Sequence, residues 1–179
     1  MIICAGNNET FDFATPTGVG LVETAMNVTR LCLFDKPEFL LFVGTAGSYG
    51  EKSVFDIVES KTAANIELAF LQNKAYTPID NVVSANSERT KEVIVNCNNY
   101  ITTDAETARG FLRLGIGIEN MEFFAVLRVA QEFGIPAGGV FCVTNYCDGN
   151  AHADFLANHE KAKALLSEHV KRRIKELTR

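Results

Sequence analysis

The apolar segment EFLLFVG, residues 38–44, limits the possible folds more than any other part of the chain, and it leads directly into the glycine-rich segment GTAGSYG. An uninterrupted apolar run is typical of a strand that is buried on both faces of a sheet. The segment GGVFCVTN, residues 138–145, has the same character. Such strands need helices on both faces of the sheet, and the first strand is predicted to stop at the glycines.

Shorter apolar runs alternate with helical stretches elsewhere, which is the pattern of a layered α/β protein. We expect a single domain over residues 1–179, a three-layer α/β sandwich with a central mixed sheet flanked by helices. The apolar spacing in the segment KTAANIELAFLQNKAY fits neither a helix nor a strand cleanly, so both are possible. Other strands are predicted in MIICA, FDFA, SVFDIVES and EVIVNC, and helices at 19–34, 103–115, 120–133 and 151–177.

The charge balance excludes the simplest mode of nucleic-acid binding. A formal net charge of −5 leaves no broad basic face to neutralise phosphates, and the cluster from Lys171 to Arg173 is interpreted as a solvated helix face. No run approaches the ~20 apolar residues that span a bilayer, so we expect no membrane partner and a cytoplasmic protein. Five cysteines without a CxxC pair are interpreted as reduced thiols, and no metal site or organic cofactor is expected.

Three segments carry polar groups where a ligand could bind. The turn after residue 43 could present backbone N–H groups with the hydroxyls of Thr45 and Ser48, or it could be only a tight turn. Glu119 and Glu122 lie at the start of an almost wholly apolar helix, where a buried carboxylate needs hydrogen bonds or a charged partner. The vicinal hydroxyls of a sugar would satisfy Glu122, although a helix dipole alone also favours Glu at that place.

The third segment is VFCVTNYCDGNAH, residues 140–152. Asn145 follows a buried strand, and its amide can donate and accept hydrogen bonds, although a turn-forming Asn is an equal alternative. Asp148 and His152 are conceivable acid or base groups. Asp148 or Asn150 is expected instead to cap the last helix.

These segments, in this order, resemble the nucleoside phosphorylase and methylthioadenosine nucleosidase superfamily. TGVGLVETAMNVTRL resembles its TGIGKVNAA turn and helix, and PEFLLFVGTAGSYG resembles its strand ending in GSAG. KSVFDIVES is similar to VGDIVVS, and VNCNNYI to SGDAFI. NMEFFAVLRVAQEFGIP is similar to the VEMEA helix, and VFCVTN lies where the family has a strand ending in SD. The resemblance covers most of the chain and implies cleavage of the N-glycosidic bond of nucleosides.

The resemblance implies a role for each matching position. Glu122 would hold the ribose hydroxyls and stabilise the positive charge that the sugar gains, with Met121 beneath the sugar. Tyr100 would lie along the purine, and Val19 near the 5′ end of the nucleoside. Glu119 lies outside the motif and is expected to be solvated. Phosphate, the co-substrate, would bind at Gly20, Gly44, Thr45 and Gly47.

The chain departs from the family at three places. Asn145 replaces the Asp that protonates the purine in many relatives; an amide cannot transfer a proton but can hydrogen-bond N7 and O6, which favours a 6-oxopurine. Phe42 stands where phosphorylases carry an arginine. The N-terminal region is short, and Glu9 is the nearby candidate for the Glu that activates water in nucleosidases.

Three hypotheses follow. The first is phosphorolysis of a purine nucleoside, probed by phosphate-dependent release of base and giving ribose 1-phosphate. The second is hydrolysis by a nucleosidase with Thr45 and Glu9 orienting water. The third is a nucleoside-binding relative without turnover. The resemblance also implies a homodimer or a higher homo-oligomer, with the helices at 19–34 and 121–133 as interface candidates.

Overall fold

The computed structural model describes residues 1–85 and 92–177, and residues 86–91 and 178–179 of the expected domain lie outside the described residues. The helices are α1 (Leu21–Phe34), α2 (Leu68–Leu71), α3 (Ala105–Arg113), α4 (Phe123–Glu132) and α5 (Ala151–Leu177). The strands are β1 (Ile2–Cys4), β2 (Thr15–Pro16), β3 (Leu40–Ser48), β4 (Ile57–Ser60), β5 (Thr62–Ala64), β6 (Val82–Ser84), β7 (Ile94–Cys97), β8 (Ile116–Asn120) and β9 (Ala137–Tyr146).

The sheet is mixed and is built around β3 and β9, which are parallel and paired along their whole length. On the other edge of β3, β1 is parallel to its first half and β8 is antiparallel to its last residues. β4 pairs with β9, and only Lys61 separates β4 from β5. β5 pairs with β7, and β7 pairs with β8, which is the antiparallel neighbour of β3. Both central strands therefore have neighbours on both edges.

Helices cover both faces of the central strands. Phe42 and Phe141 pack on the face that α1 and α4 cover, while Val43 and Cys142 pack against α5. Successive residues of each central strand are buried alternately against one helical layer and the other, and neither face of the strand meets solvent. This explains the continuous apolar runs in the sequence. The expected fold class, a mixed central sheet flanked by helices, is confirmed.

The helix predictions are confirmed to within a few residues at α1, α3, α4 and α5. Asp104 caps α3, since its carboxylate accepts a hydrogen bond of 2.7 Å from the Thr107 N–H. Asn120 caps α4 by accepting from the N–H groups of Glu122 and Phe123 at 2.8 and 2.9 Å. The ambiguous segment after Ser60 contains both a strand, β5, and the short helix α2.

Two strand predictions are wrong. The FDFA segment forms turns, because Phe11 and Phe13 pack on each other with ring centroids 5.4 Å apart and the Ala14 N–H donates to the Phe11 carbonyl. The first central strand does not stop at Gly44 but continues to Ser48. Its glycines serve close packing: a Cβ at Gly47 would lie 2.9 Å from the Cys147 sulfur.

The segment from Ile116 to Asn120 is a strand, β8, that periodicity did not predict. Ile116 and Ile118 alternate with Gly117 and Glu119, so the apolar signal is only two residues long and merges with the apolar helix that follows. All five residues are buried because β8 lies between β3 and β7. This strand turns Glu119 into the protein.

We predict that Gly139→Ala destabilises the protein, because the new Cβ would lie 2.6 to 2.8 Å from the rings of Phe141 and Phe123. These rings are fully buried against each other and cannot move aside. The expected loss in the free energy of unfolding is about 1–3 kcal/mol, measured by urea denaturation. Gly138→Ala is the matched control, since its nearest neighbours lie at 3.6 Å; an equal loss in both variants would contradict the packing explanation.

Candidate active site

A cavity of about 320 Å³ opens at the carboxyl ends of β3 and β9. Its wall comes from the loop after β1, the end of β3, residues 100–101, the β8–α4 corner, the end of β9 and the start of α5. Ligands of open α/β sheets bind at such an edge. Seven of the residues predicted as site residues line it: Val19, Thr45, Gly47, Tyr100, Met121, Glu122 and Asn145.

Two predicted phosphate-binding positions lie outside the cavity wall. The Gly20 N–H donates a hydrogen bond of 2.9 Å to Oε1 of Glu122, so it is already used within the protein. Gly44 lies beneath Glu9, and a Cβ there would be 2.9 Å from Oε2 of that residue. Phe42, where the family's phosphorylases carry an arginine, is fully buried against Phe123 and Phe141.

The Glu9 carboxylate occupies the polar groups of Thr45. The Thr45 N–H lies 3.2 Å from each carboxylate oxygen, and the Thr45 hydroxyl donates to Oε1. Glu9 is held there by a tight turn in which its N–H donates to the Gly6 carbonyl at 2.9 Å. Its side chain is only 13% exposed, and burial raises the pKa of the carboxyl group. A carboxyl group of the protein thus lies where the sequence predicted phosphate.

Glu122 is held at the β8–α4 corner with 3% of its surface exposed. Its carboxylate accepts hydrogen bonds from the N–H groups of Gly20 at 2.9 Å and of Met121 at 3.2 Å. Gly20 has a φ of 83°, a conformation that favours glycine and that aims its N–H at Glu122. Burial raises the Glu122 pKa to about 7, and the negative charge of Glu9 acts in the same direction.

Glu119 was expected to be solvated, and this prediction is wrong. The residue is only 9% exposed, and its carboxylate accepts from the Tyr49 hydroxyl at 2.8 Å and from the Thr102 N–H at 2.9 Å and faces the cavity. Burial raises its pKa. Glu119 is buried because it lies on the strand β8 and because its hydrogen-bond partner Tyr49 is far away in the sequence.

Asn145 lies at an irregularity in the pairing of β3 with β9. Ala46 pairs with Val143 but Gly47 pairs with Asn145, so Thr144 is an extra residue in β9. Asn145 accepts from the Thr144 hydroxyl at 2.8 Å and donates to the Tyr146 carbonyl at 3.0 Å. One amide N–H and one lone pair are left over by these bonds.

The mouth of the cavity is apolar and open. Tyr100 is 87% exposed, Ile101 56% and Val19 37%, and Met121 is half-buried below them. His152, at the start of α5, is an exposed part of the wall. Asp148 accepts from the Asn150 N–H at 2.8 Å, and this bond lies within the turn that precedes α5 and does not cap the helix.

Three carboxylates, Glu9, Glu119 and Glu122, face the cavity, and no lysine or arginine occurs among the residues described as lining it. Within residues 1–85 and 92–177, no group of three His, Cys, Asp or Glu residues is arranged to hold a metal ion. No helix in this part of the chain is long and apolar enough to cross a membrane.

The sequence profile of the phosphorylase superfamily matches residues 13–175, and the chain belongs to this family. The resemblance inferred from the sequence motifs is thereby confirmed. Family and fold together indicate an enzyme that acts on nucleosides. A comparison with curated protein sequences gives no significant match.

Solved structures with the same fold include a mutant of the Helicobacter pylori methylthioadenosine nucleosidase with 5′-methylthioadenosine in its active site. The two chains are 15% identical, with a TM-score of 0.82 over 98% of this chain and 97% of that one. Futalosine hydrolase of the same organism has a TM-score of 0.80 at 15% identity, over 98% and 96%. The Streptococcus pneumoniae nucleosidase with 8-aminoadenine has 0.75 at 14%, over 93% and 94%.

We predict that Glu122 makes the protein less stable as the pH rises. Its pKa is about 7 in the folded protein but near the ordinary value of 4.5 when unfolded, so its favourable contribution is complete below pH 4.5 and is lost by about pH 7. Glu122→Gln removes a loss of about 3 kcal/mol, so unfolding free energies at pH 5 and pH 8 differ less in the variant. The exposed Glu132→Gln variant controls for net charge, and an unchanged pH dependence in Glu122→Gln would refute the assignment.

Proposed function

We propose that this protein hydrolyses the N-glycosidic bond of a purine nucleoside, releasing the free base and the free sugar. The observation that carries the proposal is the Glu9 carboxylate on the Thr45 N–H and hydroxyl. A bound phosphate would need the same donors and would meet the negative charge of Glu9. Water has no charge, and a carboxylate beside it is a suitable general base.

In the proposed reaction, Glu9 takes a proton from a water molecule held near Thr45. The water oxygen forms a bond to C1′ of the sugar while the bond from C1′ to N9 of the purine breaks. Glu122 accepts hydrogen bonds from the ribose hydroxyls and lies near the positive charge that develops on the sugar ring. In a site this buried, that interaction is stronger in the transition state than with the neutral nucleoside.

The electron pair of the broken bond leaves with the purine, which needs stabilisation from the protein. The unused N–H of Asn145 is suited to N7 of the base. The side chains of Glu119 and Asn145 lie next to each other, since both come close to Gly47. Both can therefore contact the same edge of a bound base. A 6-oxopurine carries an N–H at N1 that can donate a hydrogen bond to the Glu119 carboxylate. Adenine has only an acceptor at N1, which a carboxylate cannot pair with. We therefore propose a 6-oxopurine nucleoside as the preferred substrate.

Phosphorolysis to ribose 1-phosphate is the second candidate function. Burial raises the pKa of Glu9, and a neutral Glu9 would no longer repel a phosphate from Thr45 and Gly47. Hydrolysis is favoured by the lack of lysine and arginine among the described lining residues, and by the structural relatives named as nucleosidases and a hydrolase. A nucleoside-binding protein without turnover is the third possibility.

We also propose that a second copy of the chain closes the cavity mouth in a homodimer. Val22 and Met26 on α1 are 67% and 63% exposed, and Val19 and Tyr100 of the cavity mouth are exposed too. An exposed apolar surface that includes both α1 and the cavity mouth is characteristic of a protein–protein interface. Sedimentation velocity at micromolar concentration should give a mass of twice 19.6 kDa, and a monomer would contradict the proposal.

The proposed hydrolysis predicts that Glu9→Gln lowers base release by at least about 100-fold, because the amide cannot take the proton from water. Release from inosine, guanosine, adenosine and methylthioadenosine would be followed by chromatography without phosphate. Glu132→Gln, with the same change of charge at an exposed position, should keep the wild-type rate. Release that needs added phosphate in the wild type, or an unaffected Glu9→Gln variant, would contradict hydrolysis with Glu9 as base.

The proposed base preference predicts that Glu119→Gln lowers kcat/KM for inosine relative to adenosine by about tenfold or more, because the amide can donate to N1 of adenine. The ratio of the two substrates is compared within one variant, so a general loss of folded protein cancels. A ratio equal to that of the wild type would exclude Glu119 as a base-reading residue.

A further inference from the structure

His159 lies on α5 directly behind Glu9. The residue is only 6% exposed, and its Nε2 atom is the one buried side-chain nitrogen or oxygen without a hydrogen-bond partner among the described residues. That atom is 4.0 Å from Oε1 of Glu9, slightly beyond hydrogen-bond distance. An unpaired buried ring nitrogen is costly, so its place beside a buried carboxylate calls for an explanation.

The rest of the imidazole is fixed by its neighbours. The ring packs on Phe155, with centroids 4.8 Å apart, and Nδ1 lies 3.6 Å from the exposed carboxylate of Glu160. Phe155 lines the cavity, whereas His159 is not part of its wall. His159 therefore reaches a bound nucleoside only through Glu9.

We propose that His159 is a positioning residue for Glu9: when the attacking water binds, one carboxylate oxygen of Glu9 stays on Thr45 and the other accepts a hydrogen bond from Nε2 of His159. The proposal rests on the hydrolytic function proposed above. Glu9 now uses the donors of Thr45, and binding a water there frees one carboxylate oxygen. A move of about 1 Å brings this oxygen within hydrogen-bond distance of Nε2.

The same contact keeps the Glu9 carboxylate in the ionised form that a general base needs. Burial works against ionisation, and the residues on α5 oppose that effect: both His159 and Lys163 lower the Glu9 pKa. From the other elements around Glu9, Glu122 and the Cys4 thiol add no positive charge. In the reaction one O–H bond of water breaks and its proton goes to Glu9, while His159 keeps its own proton.

The test compares His159→Phe with His159→Gln in the full-length protein, because the Gln side chain can place an N–H near the position of Nε2 and Phe cannot. In His159→Phe the acidic limb of kcat/KM should move to higher pH, with roughly tenfold lower activity on that limb and KM almost unchanged. His159→Gln should recover most of this loss. His169→Gln, at a half-buried position on the same helix that contacts Glu59, is the control.

Two results would overturn the proposal. One is a His159→Phe profile with the wild-type midpoint, whatever its height, which would leave His159 as a packing residue. The other is equal loss in the Phe and Gln variants.

A second measurement does not depend on activity. The ¹⁵N resonance of His159 Nε2 should shift when Glu9→Gln is introduced, while that of His169 stays in place. If wild-type protein releases no base, the hydrolysis proposal fails, and this resonance alone decides whether His159 and Glu9 interact. An unmoved His159 signal would contradict the interaction.

Discussion

The parallel pairing of β3 with β9 is the contact on which the rest of this structure depends. It joins the two layers of helices, because alternate residues of both strands pack on opposite faces. It also brings Thr45 and Asn145, a hundred residues apart in the chain, to the same end of the sheet. The extra residue Thr144 breaks the register where the cavity begins, so the strands supply both the core and the floor of the site.

The chemistry of the site follows from burying three carboxylates without a lysine or arginine among the described lining residues. Each carboxylate is held instead by donors of uncharged groups: Glu9 by Thr45, Glu119 by Tyr49 and Thr102, and Glu122 by Gly20. Such a cavity repels anions and stabilises positive charge on a bound molecule. A nucleoside that becomes cationic at the sugar suits this environment better than a phosphate ion does.

Local patterns in the sequence were sufficient for the two central strands and for the longer helices, because these depend on neighbours a few residues away. The ordered motifs were sufficient for the family. The position of Glu119 could not be predicted, since its burial depends on Tyr49, 70 residues away, and on a strand with only two apolar side chains. The contact of Glu9 with Thr45 could not be predicted for the same reason, since it spans 36 residues and no local pattern encodes it.

The most direct measurement is the identity of the sugar released by the wild-type protein from inosine in the presence of millimolar phosphate, followed by ³¹P nuclear magnetic resonance and chromatography. If Glu9 excludes phosphate from Thr45 and water is the nucleophile, free ribose accumulates in step with hypoxanthine and no ribose 1-phosphate signal appears. Ribose 1-phosphate formed in proportion to the base would mean that phosphate displaces Glu9 from Thr45, and would contradict hydrolysis.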